Sequence, residues 1–217
     1  MDFVAWFSAV LDAVGRALVL DPSLLATADD PAFLPVAVGV ALLAGISTMV
    51  GHSVILFVNG VGGWRFALAL LGTGLWTVVL LAVQGAVTGL VGRLVGPGDP
   101  PWGAVLAITM LSAAPLCLGF LILIPYSGPF IGRALEVWSF FVLVAAVDAT
   151  FDVSLWEALL ITGVGWVARQ AVSRLVSGPF GWVFARLWRL VTGRPALITP
   201  HDVLAGHPFV DVVGGRP

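Results

Sequence analysis

Thr48, His52 and Asn59 stand four and seven positions apart, which on a helix sets them along one face. With Ser47 and Ser53 they form the most polar stretch inside any apolar run of the chain. Residues of these types in that arrangement suit three kinds of chemistry. They hydrogen-bond membrane helices to one another, at about 1 kcal/mol or less each. They line a path for a proton or a small solute. Alternatively, the neutral imidazole of His52 ligates a tetrapyrrole metal axially. Helix-to-helix bonding needs no further residue and is the expectation. A lone histidine supports neither of the others strongly, and no cofactor is expected.

Other titratable groups are sparse. Asp148 and Asp152 lie four apart with Glu157 beyond, but acid–base work also needs a second group and a cleft. At the mouth of a span these acids are expected to be solvated, with a cation site or a docking surface as alternatives. Arg133 and Glu136, three apart, are expected to pair along a helix. His201, Asp202 and His207 lack a third ligand at useful spacing, so no metal site is expected. Cys117 has no second cysteine to pair with and is read as packing. Gly-x-Ser-x-Gly, His-Glu-x-x-His, Walker and dinucleotide signatures are absent, and Gly60-Val61-Gly62-Gly63 is explained by a short turn. No catalytic residue emerges, and the chain is expected not to be an enzyme.

The elements that carry these residues follow from composition. The 217 residues are 59% hydrophobic and 10% charged, against about 25% charged in a soluble domain. Mean hydropathy is +1.06. A water-facing surface cannot be assembled from so few charges, so the reading is an all-α integral membrane protein, with no nucleic-acid partner. Residues 1–20 place Phe3, Phe7, Val10, Leu11, Val14 and Leu18 on one stripe, an amphipathic helix lying in the interface.

A transmembrane bundle over 34–175 then contains five helices, at about 34–57, 66–91, 102–124, 135–149 and 155–172, each judged against a need for roughly 20 apolar residues. Pro115 interrupts the third. The fifth is short, and its Glu157 and Arg169 are expected to snorkel toward headgroups. Ser177-Gly178-Pro179 is expected to break the chain before a basic interfacial helix at 180–192. An extended tail occupies 193–217. Gly85-x-x-x-Gly89 with Gly92, and Ala41-x-x-x-Gly45, mark packing seams within the bundle or between copies.

Five spans put the two termini on opposite sides. Arg65, Arg133, Arg169, Arg174, Arg186, Arg189, Arg194 and Arg216 fall on one side, while only Arg16 and Arg93 fall on the other. Basic residues mark the cytoplasmic face, so the carboxyl terminus is expected in the cytoplasm and the amino terminus outside. Arg174, Arg186, Arg189 and Arg194 are the candidates to meet anionic lipid headgroups. A composition rich in Ala, Gly, Val and Arg without lysine suggests a bacterial cytoplasmic or internal (thylakoid-like) membrane.

The third and fourth spans carry Ala114-Pro115, Gly119-Phe120, Pro125-Tyr126-Ser127-Gly128, Gly132 and Leu135-Glu136-Val137-Trp138. An interior Ala-Pro, a glycine-rich turn and a Leu-x-x-Trp entering the next span resemble the Yip (Ypt-interacting protein) family of five-span membrane proteins. The order of an amphipathic front segment followed by five spans is also similar, over roughly residues 20–175. The Asp-Leu-Tyr-Gly-Pro motif of the eukaryotic members is missing, and the arginine bias puts the amino terminus outside rather than in the cytosol. Partnership with small GTPases is therefore not carried over.

The resemblance implies a non-enzymatic protein that organises or shapes the membrane or scaffolds a complex, with other membrane proteins or further copies as partners. A small-solute or ion transporter is the first alternative, weakened by the lack of charge in the middles of the spans. An accessory subunit of a bioenergetic or photosynthetic pigment complex is the second.

Overall fold

The structure is a computed structural model of the chain. It describes residues 2–21, 24, 27–28, 30–53 and 63–192, with side chains described as far as Leu175, except those of Pro31, Arg65 and Ala69. No strand occurs among the described residues. The helices are α1 Phe3–Leu18, α2 Leu34–Gly51, α3 Trp64–Val95, α4 Trp102–Leu111, α5 Gly128–Phe151 and α6 Leu155–Thr192. A short 3-10 turn, Pro31–Phe33, leads into α2, and a ten-residue 3-10 segment, Ala114–Leu123, continues α4.

Four stretches are long and apolar enough to cross a bilayer: Leu34–Gly51, Phe66–Val95, Trp102–Leu123 and Gly128–Phe151. That is the character of a multi-pass membrane protein. α6 is not among these four, because Glu157, Arg169 and Arg174 dilute its apolar first half.

Several boundaries differ from those the sequence suggests. α2 ends at Gly51, with His52 as its C-cap; the remainder of the stretch expected to reach Phe57 lies outside the described residues from Val54 onward. α5 begins at Gly128, seven residues before Leu135, because Pro129 sits in the first turn, where its missing N–H has no intrahelical partner to lose. α6 does not stop at Ser177-Gly178-Pro179 and runs 38 residues to Thr192. The separate 180–192 helix is therefore the continuation of α6. An interior proline removes one i→i−4 bond, but the bonds on either side keep the helix going.

The interrupted span has a local cause. Pro115 has no N–H, and its ring disfavours the α geometry of the residue before it. The chain responds by tightening, with Leu116 N donating to Ala113 O at 2.9 Å. Runs of 3-10 helix beyond three or four residues are uncommon, so this one needs outside support. Ser47 of α2 gives it: its Oγ donates to Cys117 O at 2.7 Å and accepts from Phe120 N at 3.0 Å. Ser139 of α5 donates to Ser112 O at 2.5 Å. Side chains thus take up backbone groups that the irregular stretch leaves open, as a low-dielectric interior requires.

The core is built from small residues at helix crossings. Ala37, Val40, Ala41 and Ala44 of α2, Val105, Ala107 and Ile108 of α4, and Leu143 and Val147 of α5 are buried together. Where lipid replaces water, close backbone approach rather than the hydrophobic effect holds helices together. A Cβ on Gly45 would stand 2.8 Å from Gly74 Cα, and one on Gly119 would stand 2.8 Å from Thr48 Cα. Leu68, Leu71, Leu75 and Val79 of α3, with Phe130, Val137 and Phe141 of α5, face outward.

α1 packs against α2. Val10, Ala13, Val14 and Ala17 are buried, and Trp6 Nε1 donates to Pro35 O at 3.1 Å. Gly39 makes room for this contact, since a Cβ there would meet the Trp6 ring and Val10 at 2.6 Å. Phe3, Val4, Phe7 and Leu11 of α1 stay exposed, so the helix is apolar on its outward side as well.

Candidate functional site

Polar groups from α3, α4, α5 and α6 converge on one narrow cleft. It is lined by Gln84, Ser112, Glu136, Ser139 and Arg169, and walled by Leu116, Phe140 and Trp166. Gln84 lies eleven residues before Val95, roughly 16 Å along the helix at 1.5 Å per residue. Arg169 follows Leu155 by 14 residues and Glu136 precedes Phe151 by 15, each roughly 21–22 Å from that same end of the bundle. Gln84 and Glu136 thus lie inside two of the stretches long and apolar enough to cross a bilayer, and Arg169 of α6 adjoins them. Glu136 places a carboxyl group inside the Gly128–Phe151 stretch.

Arg169 reaches inward. Because α6 continues past it, the residue is not at a helix end, and its Nη1 donates to Gln84 Oε1 at 3.4 Å. Gln84 is buried, as are Ser112 and Ser139, whereas Glu136 is exposed along the open side of the cleft. Glu136 does not pair with Arg133: the ion pairs among the described residues are Arg16–Asp12, Arg16–Asp21 and Arg93–Asp99. A charge near the bilayer centre costs about 2.5–3.5 kcal/mol on insertion scales, so such a residue marks a site by default. Ser112 Oγ donates to Thr109 O and Ser139 Oγ to Ser112 O, which leaves their oxygens able to accept from within the cleft. Next to the cluster, on the α3–α6 seam, the hydroxyls of Thr88 and Thr162 are buried without a partner. A Cβ on Gly165 would collide with Thr88 Oγ1.

The residues singled out by sequence are distributed otherwise. Thr48 Oγ1 donates to Ala44 O within its own helix at 2.8 Å, and His52 Nδ1 lies 2.8 Å from Thr48 O. His52 is exposed as the C-cap of α2, Thr48 is half-buried, and Asn59 lies outside the described residues. Gly85 and Gly89 face α4, at Leu106 and Thr109 and at Trp102, and Gly92 faces the Phe151 ring. Glu157 closes the first turn of α6 as a capping box: Ser154 N and Oγ both donate to Glu157 Oε2 at 2.8 Å. Asp152 adopts a left-handed C-cap with φ 51°, and Asp148 is exposed.

No family model, no curated protein and no solved structure matches this chain. The Yip-like positions are therefore described by their geometry alone. Pro115 and Gly119 belong to the 3-10 segment, Pro125 to the turn after it, and Gly128 packs on Ile122 O at the start of α5. Gly132 approaches the Ile122 side chain, and Trp138 points outward. Arg174 is exposed on α6; Arg186 and Arg189 lie further along that helix, their side chains outside the described residues, as is Arg194 entirely. No group of His, Cys, Asp and Glu among the described residues could hold a metal.

The cleft was obscured in sequence because its members are scattered over four helices. The usable signal is one or two polar residues in each of several otherwise apolar runs: Gln84, Ser112, Glu136 with Ser139, and Arg169.

Proposed function

We propose that the chain is a non-enzymatic, Yip-like membrane protein that organises or shapes the bilayer, or scaffolds a complex within it. The observation that carries this reading is α1. One of its apolar stripes is fixed to α2 through Trp6, Val10, Val14 and Ala17, while Phe3, Val4, Phe7 and Leu11 remain exposed. A helix held rigidly along a bundle with a second apolar face acts as a wedge in one leaflet.

On this reading the first half of α6 is the fifth span, supported by its outward Trp156, Leu160 and Val167. Its 38 residues amount to roughly 57 Å, so its basic second half projects beyond the bilayer toward anionic headgroups. The arginine bias places that half in the cytoplasm of a bacterial cell, with α1 on the outer side. Other membrane proteins or further copies are the partners such a scaffold would gather.

Reconstitution tests the wedge. Full-length protein carrying Phe3→Ser, Val4→Ser, Phe7→Ser and Leu11→Ser should insert normally but lose most of its ability to remodel vesicles or retain partners. Unchanged vesicle shape and partner recovery would remove α1 from the function.

Transport is the second reading, and the polar cleft beside the 3-10 interruption favours it, since broken helices near the bilayer midplane form transporter sites. Liposome flux lost on Arg169→Met would support it.

A further inference from the structure

We propose that the cleft between α3, α5 and α6 is a binding site for water, which bridges Glu136 to Arg169 inside the bilayer. This goes beyond the wedge assigned to α1 and does not depend on it.

Three observations select the ligand. The first is size: the space between Gln84, Ser139, Glu136 and Arg169 has room for roughly one water molecule. The second is charge. A carboxylate and a guanidinium line the same cleft yet make no direct ion pair, so the site as a whole is neutral and favours a dipole over an ion. The third is hydrogen-bonding capacity. Arg169 has five N–H donors, and among the described residues it donates to Gln84 Oε1 at 3.4 Å. Glu136 offers only acceptors at the other margin, and the oxygens of Ser112 and Ser139 can still accept. A buried water needs two to four polar partners, and here donors and acceptors surround it from four helices.

A bridging water resolves a difficulty that direct contact does not. A charged side chain within a span is costly unless it finds polar partners. With water between Glu136 and Arg169, each is hydrogen-bonded, and α5 is tied to α6 beside the point where the 3-10 segment leaves the α geometry. Phe140, Leu116 and Trp166 form the apolar wall of the site.

Radiolytic hydroxyl-radical labelling of the full-length protein in lipid nanodiscs, read residue by residue by mass spectrometry, tests this, because radicals form from water bound in place. Phe140 and Leu116 should label severalfold faster than Phe141, which is more exposed but faces lipid. The double variant Glu136→Met/Arg169→Met, whose apolar side chains fill the cleft, should bring Phe140 and Leu116 down to the rate of Phe141 while retaining helicity and monodispersity. If that variant does not fold, Ser139→Leu is the replacement, with the same loss expected. Equal labelling of Phe140 and Phe141 in the parent, or labelling that persists in the folded variant, overturns the proposal. Labelling that rises or falls with sodium or chloride concentration overturns water as the occupant in favour of that ion.

Discussion

Ser47 stands where α2 crosses the 3-10 segment, and one hydroxyl there serves two backbone groups, Cys117 O and Phe120 N. Thr48, its neighbour, bonds only to Ala44 O in the same helix. The two should behave differently on mutation. Ser47→Ala strands a carbonyl and an N–H in an apolar interior and should lower stability by about 1–2 kcal/mol, toward the upper range of intramembrane hydrogen bonds. Thr48→Val should stay within about 0.5 kcal/mol. Thermal unfolding in mild detergent distinguishes them, and equal losses would contradict the support assigned to Ser47. The polar run 47–53 was visible in sequence, but the residue that matters for packing was not. Periodicity places residues on a face without saying which of them meets an irregular backbone.

Helix α3 shows how a loop is held by one side chain. Arg93, near its end, pairs with Asp99 at 2.6 Å, donates to Gly89 O at 3.1 Å and to Pro100 O, and stacks over the Trp102 ring at 4.0 Å. Gly-Pro-Gly-Asp-Pro-Pro alone would leave the α3–α4 connection loose; Arg93 joins both ends of it. Arg93→Ala should destabilise the fold by about 1–3 kcal/mol through the lost charged hydrogen bonds and ring contact. Asp99→Asn should cost less than about 1 kcal/mol, because that carboxylate is 83% exposed. Comparing the unfolding midpoints of the two variants checks this, and a larger loss for Asp99→Asn would refute the ranking. The break at residues 96–101 was legible from its prolines and glycines. The break expected at Gly178-Pro179 was not a break, since proline ends a helix only where neighbouring turns do not hold it.

For the molecule as a whole, the distribution of arginines and the number of crossings must agree. Counting α6 as a span gives an odd number, with the termini on opposite sides. Reporter fusions should therefore place the carboxyl end in the cytoplasm and the amino end outside; both ends in one compartment would leave α6 out of the bilayer and overturn the five-span reading. Composition alone determined that the chain is helical and membrane-spanning, because 10% charged residues cannot clothe a water-facing surface and an isolated backbone in lipid closes its own hydrogen bonds only as a helix. Tertiary structure decided the rest. That Arg169 turns inward to Gln84, that Glu136 faces the same cleft rather than Arg133, and that Glu157 caps a helix are matters of which helices adjoin at which height. Such adjacency arises from the close approach of Gly45 to Gly74, Gly119 to Thr48 and Gly165 to Thr88, contacts between residues distant in sequence that no local pattern records.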